Sequence, residues 1–334
     1  MNPVSAMNFS IRAIMPENQR SGQSSFFDLI MEPGSEQIVE IEVINSTSEE
    51  MIYNIDLAMG TTDQGGTLAL YSRPEIPQDS TQRFYIDQIA TMDISKVIIP
   101  GNQSARIPIR VTMPNEPFTG VILAGISVTE ESPNASDEAG QEGIGLISEF
   151  MMSMPLFIRQ YESHIENDLI LTDVWADQVN HRNTIKANLQ NIQPMLISQM
   201  EVRATVSRVS NGEILFERIS DLLQMAPNSN FDFQIPLGGQ AYQAGEYLLR
   251  IEVDSEERDW SFERTFTITD EEASSFNATD VTIQRISLWW FIAGGGGLLL
   301  LIIVIFILIF RRKNKRTQDR LLFEMHDKIK RLQT

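Results

Sequence analysis

The feature that most constrains this chain is a run of 23 residues without a charge, Leu288 to Phe310, bracketed by Arg285 and Arg311. At 1.5 Å per residue the run makes about 34 Å of helix, enough to cross a hydrocarbon core of about 30 Å. Backbone polar groups in lipid must be satisfied within the segment, so the expectation is a single transmembrane helix over 288–310. Trp289 and Trp290 stand at its start, where indole rings favour the headgroup layer. Arg311, Arg312 and Lys313 follow its end and mark that side as cytoplasmic.

Charge divides at the same place. The chain carries 26 Lys and Arg against 45 Asp and Glu, net −19. Nine of the bases and three of the acids follow Phe310, which leaves 17 and 42 before it, a net −25. The expectation is therefore an acidic exterior over 1–287 and a basic cytoplasmic tail over 311–334. Leu322, Met325, Ile329 and Leu332 of the tail fall at helical spacing, as in an amphipathic helix on an anionic leaflet or a frayed solvated end. An exterior of this size needs a secretory signal, and Met1 to Asn8 lacks the apolar stretch of one. Val4-Ser5-Ala6 has the small residues expected just before a signal-peptidase cut. The expectation is that 1–8 is the remnant of a longer precursor.

Composition removes whole classes of function. With no cysteine there is no disulfide framework, thiolate zinc site or thiol nucleophile. Three histidines leave little for metal or acid–base chemistry, and the acidity opposes nucleic-acid binding, which needs clustered Lys and Arg. His164 and His181 lack ligand spacing, and no Gly-x-Ser-x-Gly elbow is present. The expectation is no enzyme, no cofactor and no metal. Asp254-Ser255-Glu256-Glu257-Arg258-Asp259 offers oxygens to a calcium ion but lacks the glycine of a calcium loop, so a solvated hairpin tip is favoured.

The exterior reads as strands. Val39, Ile41 and Val43 alternate with Glu40 and Glu42, the period of a half-buried strand. Ile107, Ile109, Val111 and Met113 alternate likewise, and Pro108 among them points to an edge or a bulge. Val121 to Val128 is nearly all apolar, as a central strand requires. Glu130 to Gly143 reads as an acidic hairpin loop. A second series begins near Glu166, with a strong hairpin turn at Asn211-Gly212. Short strands at this spacing predict an all-β chain of two immunoglobulin-like β-sandwiches in tandem, 9–161 and 162–272, then a juxtamembrane stalk over 273–287.

Particular residues resemble a known family. Phe9-Ser10-Ile11, Pro16-Glu17-Asn18-Gln19, Phe26-Phe27-Asp28-Leu29, Pro33-Gly34 and Pro117 to Ile126 are similar to the first domain of the WxL-interacting proteins of Gram-positive bacteria. Leu189-Gln190-Asn191, Met225-Ala226-Pro227-Asn228-Ser229, Ala244-Gly245-Glu246-Tyr247 and Trp260-Ser261-Phe262 resemble the second. The resemblance implies a cell-surface protein without catalysis. Its first domain would bind peptidoglycan, its second a host or partner protein, and secreted WxL-domain proteins would be its associates. Host extracellular matrix proteins are a further expected partner, and a stand-alone matrix adhesin or a regulator of a wall-active enzyme are the alternatives. Asn18, Gln19, Phe27 and Asp28 are candidate peptidoglycan contacts, since amides and carboxylates bond sugar hydroxyls and aromatic faces stack on sugar rings. The competing reading makes them turn caps and core. Asn228, Ser229 and Trp260 are candidate partner contacts, against a turn and sandwich core.

Overall fold

Alternation of apolar and polar side chains makes strands here, and the strands close over two separate cores. A computed structural model describes residues 8–20, 22, 25–74, 76–131, 150–162, 164–283, 297, 300–309 and 311. In the first domain these are β1 (Phe9–Ile14), β2 (Phe27–Ile30), β3 (Glu36–Asn45), β4 (Met51–Met59), β5 (Thr61–Thr62) and β6 (Leu68–Ala69), then α1 (Ile86–Ile89), β7 (Ala90–Thr91), β8 (Lys96–Ile99), β9 (Ser104–Thr112), β10 (Ile122–Glu130) and β11 (Met151–Arg159). One sheet runs β1-β3-β9-β7 and the other β2-β11-β10-β4-β8, while β5 and β6 form a separate hairpin. The second domain comprises β12 (Leu169–Val179), β13 (Arg182–Asn191), β14 (Ile197–Arg208), β15 (Ile214–Met225), β16 (Ser229–Pro236), β17 (Gly245–Asp254), β18 (Asp259–Ile268) and α2 (Asp270–Thr279). Its sheets run β12-β13-β16 and β15-β14-β17-β18.

In β3, Val39, Ile41 and Val43 are buried against Ile107, Ile109 and Val111 of β9, as their spacing predicts. Pro108 sits in a strand with neighbours on both sides. However, β7 pairs only with Val111 and Arg110, so among the described residues no strand pairs beside Pro108 on that flank and its missing N–H is harmless. β11 joins β10 antiparallel and β2 in parallel, which brings Arg159 beside Ile30.

β10 is buried on both faces. Ile122, Ala124, Ile126 and Val128 face the first core, while Leu123 packs on the other side with Leu70 and with Ala226 of the second domain. The chain at Leu70 crosses that outer face so closely that a Cβ on Gly125 would lie 2.2 Å from the Leu70 carbonyl oxygen. Gly125→Val is therefore expected to destabilise the first domain by at least about 1–3 kcal/mol through backbone displacement. Thermal unfolding of the full chain checks this, and an unchanged midpoint contradicts it.

The expected stalk begins later than its polar composition implied. Thr269 and Glu272 form a reciprocal capping box that starts α2. Phe276 packs on Tyr242 with ring centroids 5.7 Å apart, and Asn277 bonds both the N–H (2.8 Å) and the carbonyl (2.9 Å) of Tyr242. The compact unit consequently runs through Thr282. The Asp254–Asp259 segment is the tip of the β17–β18 hairpin, closed by Ser255 and Arg258. Among the described residues no group of three His, Cys, Asp or Glu is placed to hold a metal.

Residues 300–309 are helical, and the aliphatic side chains along them are exposed. Among the described residues no helix is long and apolar enough to cross a membrane. Arg311 is described, helical and exposed. Trp289, Trp290, Arg312, Lys313, the rest of the tail, residues 1–7 of the expected 1–8 remnant and most of the Glu130–Gly143 loop lie outside the described residues.

Candidate functional site

Two adjoining places gather the residues singled out above: a cleft at the end of the first sandwich, and the joint between the two domains. The cleft grows out of the chain between β1 and β2. There the Asn18 amide donates to the carbonyl oxygens of Ile30 (3.0 Å) and Gln37 (2.8 Å) and accepts from Gln37 (2.9 Å). The Gln19 amide donates to the Phe26 carbonyl (3.0 Å) and accepts from the Asp28 N–H (3.2 Å). Both side chains thus fasten the loop to the sheet.

Phe27 is 0% exposed and fills the core, so no face of its ring reaches solvent. Asp28 is 3% exposed and takes a fork of two hydrogen bonds from Arg159, Nε to Oδ1 at 2.9 Å and Nη2 to Oδ2 at 3.1 Å. Arg20, half exposed, reaches Asp28 at 3.5 Å and Glu162 at 2.9 Å.

This ion network floors a cleft of about 500 Å³, completed by Phe26, Phe157 and His164 of the first-domain side and by Met195 and Leu196 of the second. Phe26 and Phe157 are half-buried, with ring centroids 5.5 Å apart. Ring faces beside guanidinium and carboxylate groups can hold a ligand that offers both C–H surface and hydroxyl or carboxylate oxygens. The sequence reading chose Phe27 for stacking. Strand parity instead points Phe27 inward and leaves its neighbour Phe26 at the cleft.

The joint contains the other candidates. Asn228 takes the left-handed conformation (φ 49°) and donates to the Ile192 carbonyl (3.1 Å) and, across the domains, to Thr81 Oγ1 (3.2 Å). Ser229, 1% exposed, shares a 2.6 Å hydrogen bond with Thr62 of the first domain. Thr62 also accepts from the Ala226 N–H at 3.0 Å. The Gly66 carbonyl accepts from the Gln224 N–H at 2.7 Å, and the Pro194 carbonyl accepts from the Val121 N–H at 2.8 Å. A Cβ on Gly120 would lie 2.3 Å from that Pro194 oxygen, and Gly120 itself has φ +88°.

At the centre of the joint Asp79 is 8% exposed and, among the described residues, has no cation beside it. It accepts from Gln190 Nε2 (2.9 and 3.0 Å), from Asn230 Nδ2, and from Thr81 N–H (2.8 Å) and Oγ1 (2.6 Å). Burial pushes this carboxyl up, but the donors of Thr81, Asn230 and Gln190 outweigh burial and hold it below the ordinary carboxylate range. Beside it opens a cavity of about 240 Å³ between Phe84 and Phe118 on one side and Pro194 and Pro227 on the other.

Trp260 lies elsewhere. It is 8% exposed within the second core, opposite Val253, with the Arg258 guanidinium 5.7 Å from its ring and no partner for its Nε1. Sequence reasoning missed Arg20, Arg159, Glu162, Asp79, Thr62 and Thr81. The one usable signal was Leu189-Gln190-Asn191, in which Leu189 is core, Gln190 spans the joint and Asn191 closes the following loop through Met195 (2.7 Å) and Ala226 (2.9 Å).

Comparison with known proteins attaches to these same segments. Residues 9–130 match the family model described as WxL Interacting Protein, peptidoglycan binding domain, and residues 141–278 match WxL Interacting Protein, host binding domain. The second match starts before β11, which hydrogen-bonds into the first domain. No curated protein sequence matches the chain significantly. Among solved structures, the YadV chaperone is 12% identical over 78% of this chain and 100% of its own, with a TM-score of 0.32. The CupB2 chaperone of Pseudomonas aeruginosa is 14% identical over 71% and 96%, with a TM-score of 0.30. The E. coli chaperone DraB is 14% identical over 72% and 94%, with a TM-score of 0.27. With both of the family's domain models matched in order along it, the chain belongs to the WxL-interacting protein family.

Proposed function

We propose that this protein is a non-enzymatic scaffold of the Gram-positive cell surface. Its first sandwich holds peptidoglycan, its second holds a protein, and a helix within 288–310 anchors both to the membrane with the basic tail inside. Both sandwiches are of immunoglobulin-like kind in this reading, supported by two antiparallel-rich sheets around each core. The protein partner is a secreted WxL-domain protein, with host matrix proteins as further ligands. The observation that carries the reading is the tandem of a peptidoglycan-binding and a host-binding family domain, joined by the polar contacts around Asp79. The cleft at Phe26, Phe157, Arg20 and Asp28 is the peptidoglycan site in this proposal. Peptidoglycan offers sugar rings to the aromatic faces, and its stem peptides offer carboxylates to Arg20.

Sedimentation of the detergent-solubilised chain with purified peptidoglycan tests this. The chain is expected to co-sediment without releasing soluble fragments, and Phe26→Ala with Arg20→Ala is expected to lower binding about tenfold. Release of fragments, or binding untouched by the two substitutions, contradicts the assignment. The exterior is acidic, so a protein partner gains association rate from a basic patch. Raising salt is therefore expected to slow its association more than it weakens sedimentation with peptidoglycan, and the reverse order contradicts the account. The description of the second family domain as host binding favours a second reading, a stand-alone matrix adhesin. Matrix binding by the chain without any WxL-domain protein separates the two.

A further inference from the structure

β15 is an edge strand of twelve residues, hydrogen-bonded to β14 on one side and, among the described residues, paired with no strand on the other. Edges with free N–H and C=O groups recruit other chains unless bulges or charges blunt them, and here the ladder with β14 is regular over Phe216–Ser220, with register shifts on either side. This one also exposes Ile214 (57%), Ile219 (62%) and Leu222 (75%), with Val209 (46%) at the turn leading into it. Leu222 takes φ +56° where the register with β14 shifts between Met200 and Val202, so a β-bulge at Asp221 and Leu222 sets its backbone and holds the side chain in water. An apolar side chain so exposed gains nothing from the isolated fold.

The edge is already in use at one end. The Gln224 N–H points away from β14 and donates to Gly66 in the turn of the β5–β6 hairpin, which packs against Leu223. An occupant of Ile214–Leu222 would continue that docking line. A second copy of this chain fits poorly. Antiparallel self-pairing about Arg218 sets that guanidinium against its twin and brings Glu213, Glu217 and Asp221 of both copies together. The acidic edge instead suits an extended strand that alternates apolar with Lys or Arg side chains.

We propose that β15 is the docking edge of the second domain, and that a partner protein adds a basic-apolar β-strand along Ile214–Leu222. This rests on the reading of that domain as the protein-binding half and adds where, and by what chemistry, the protein is held.

The test titrates the full chain in detergent with a ten-residue peptide of alternating valine and lysine. Two variants of the peptide serve as controls, one N-methylated at alternate backbone nitrogens and one with glutamate for lysine. The expected result is hydrogen-exchange protection confined to 214–222. Binding is expected to be at least tenfold weaker for either control peptide, and tenfold weaker for the Ile219→Lys, Leu222→Lys double variant. Ile38→Lys, at an exposed position of β3, is expected to bind as the unaltered chain does. A matching melting midpoint shows that the double variant is folded. Protection elsewhere or none, equal binding of the N-methylated peptide, or self-association that the double variant abolishes would each overturn the proposal. Sedimentation of the double variant with peptidoglycan reads the other half of the scaffold separately. If a WxL-domain protein binds the double variant undiminished, the partner-binding reading stands and the edge falls.

Discussion

Substituting alanine for Asp79 is expected to uncouple the two sandwiches, so that calorimetry resolves two unfolding transitions where the unaltered chain gives one. The carboxylate is the shared acceptor of Gln190 and Asn230 from the second domain and of Thr81 from its own. Removing it strands half-buried amide donors, at up to about 1–3 kcal/mol each. Asp79→Asn is expected to fall between, because one acceptor oxygen survives while the new amide group faces donors. The pH dependence follows from the direction of the shift. The folded carboxyl is held below its ordinary 3.8, so its contribution is complete above that value and is lost as pH falls through the lowered one. At neutral pH the joint is at full strength, and acid loosens it. A single transition in the Asp79→Ala chain, coincident with that of the unaltered one, contradicts this account of the joint.

The second large effect is expected at Asp28. Replacing it with leucine leaves the Arg159 guanidinium buried without its counter-charge, a loss of about 3–5 kcal/mol in the first domain. Adding Arg159→Met removes the orphaned charge and is expected to restore most of that loss, because well-packed apolar pairs often replace buried ion pairs at little cost. Denaturant unfolding of the single and double variants checks both halves of the argument. A double variant no more stable than the single one means that the cost lies in the packing around β2 rather than in the charge.

The same polar pairs mark where sequence reading stopped. Alternation located β3 and β9, because it reports directly which side chains a sheet can bury, while a continuous apolar run located β10 and the Asn211-Gly212 turn located the β14–β15 hairpin. Alternation was silent on parity at Phe26-Phe27, where two identical side chains face opposite ways and only the register of β2 with β11 decides between them. Thr269 and Glu272 spelled a helix start within a stretch whose polarity suggested a stalk. Asn228 is the turn residue it looks like and Ser229 opens β16, yet their side chains also bond to Thr81 and Thr62. Partners so far apart in the chain cannot be paired from composition or spacing. The motifs that carried the family resemblance in the second domain, Leu189-Gln190-Asn191 and Met225 to Ser229, bear much of the joint. Gly120 and Val121 of the first domain meet Pro194, in the loop that Asn191 closes.

Through that convergence the two sandwiches are expected to be held as a single rigid piece. The chain has no cysteine, so Arg106→Cys on β9 and Glu252→Cys on β17, both exposed, place one spin label on each sandwich. Double electron–electron resonance on this doubly labelled full chain is expected to give one narrow distance distribution that broadens when Asp79→Ala is added. A broad distribution with Asp79 in place would contradict the claim.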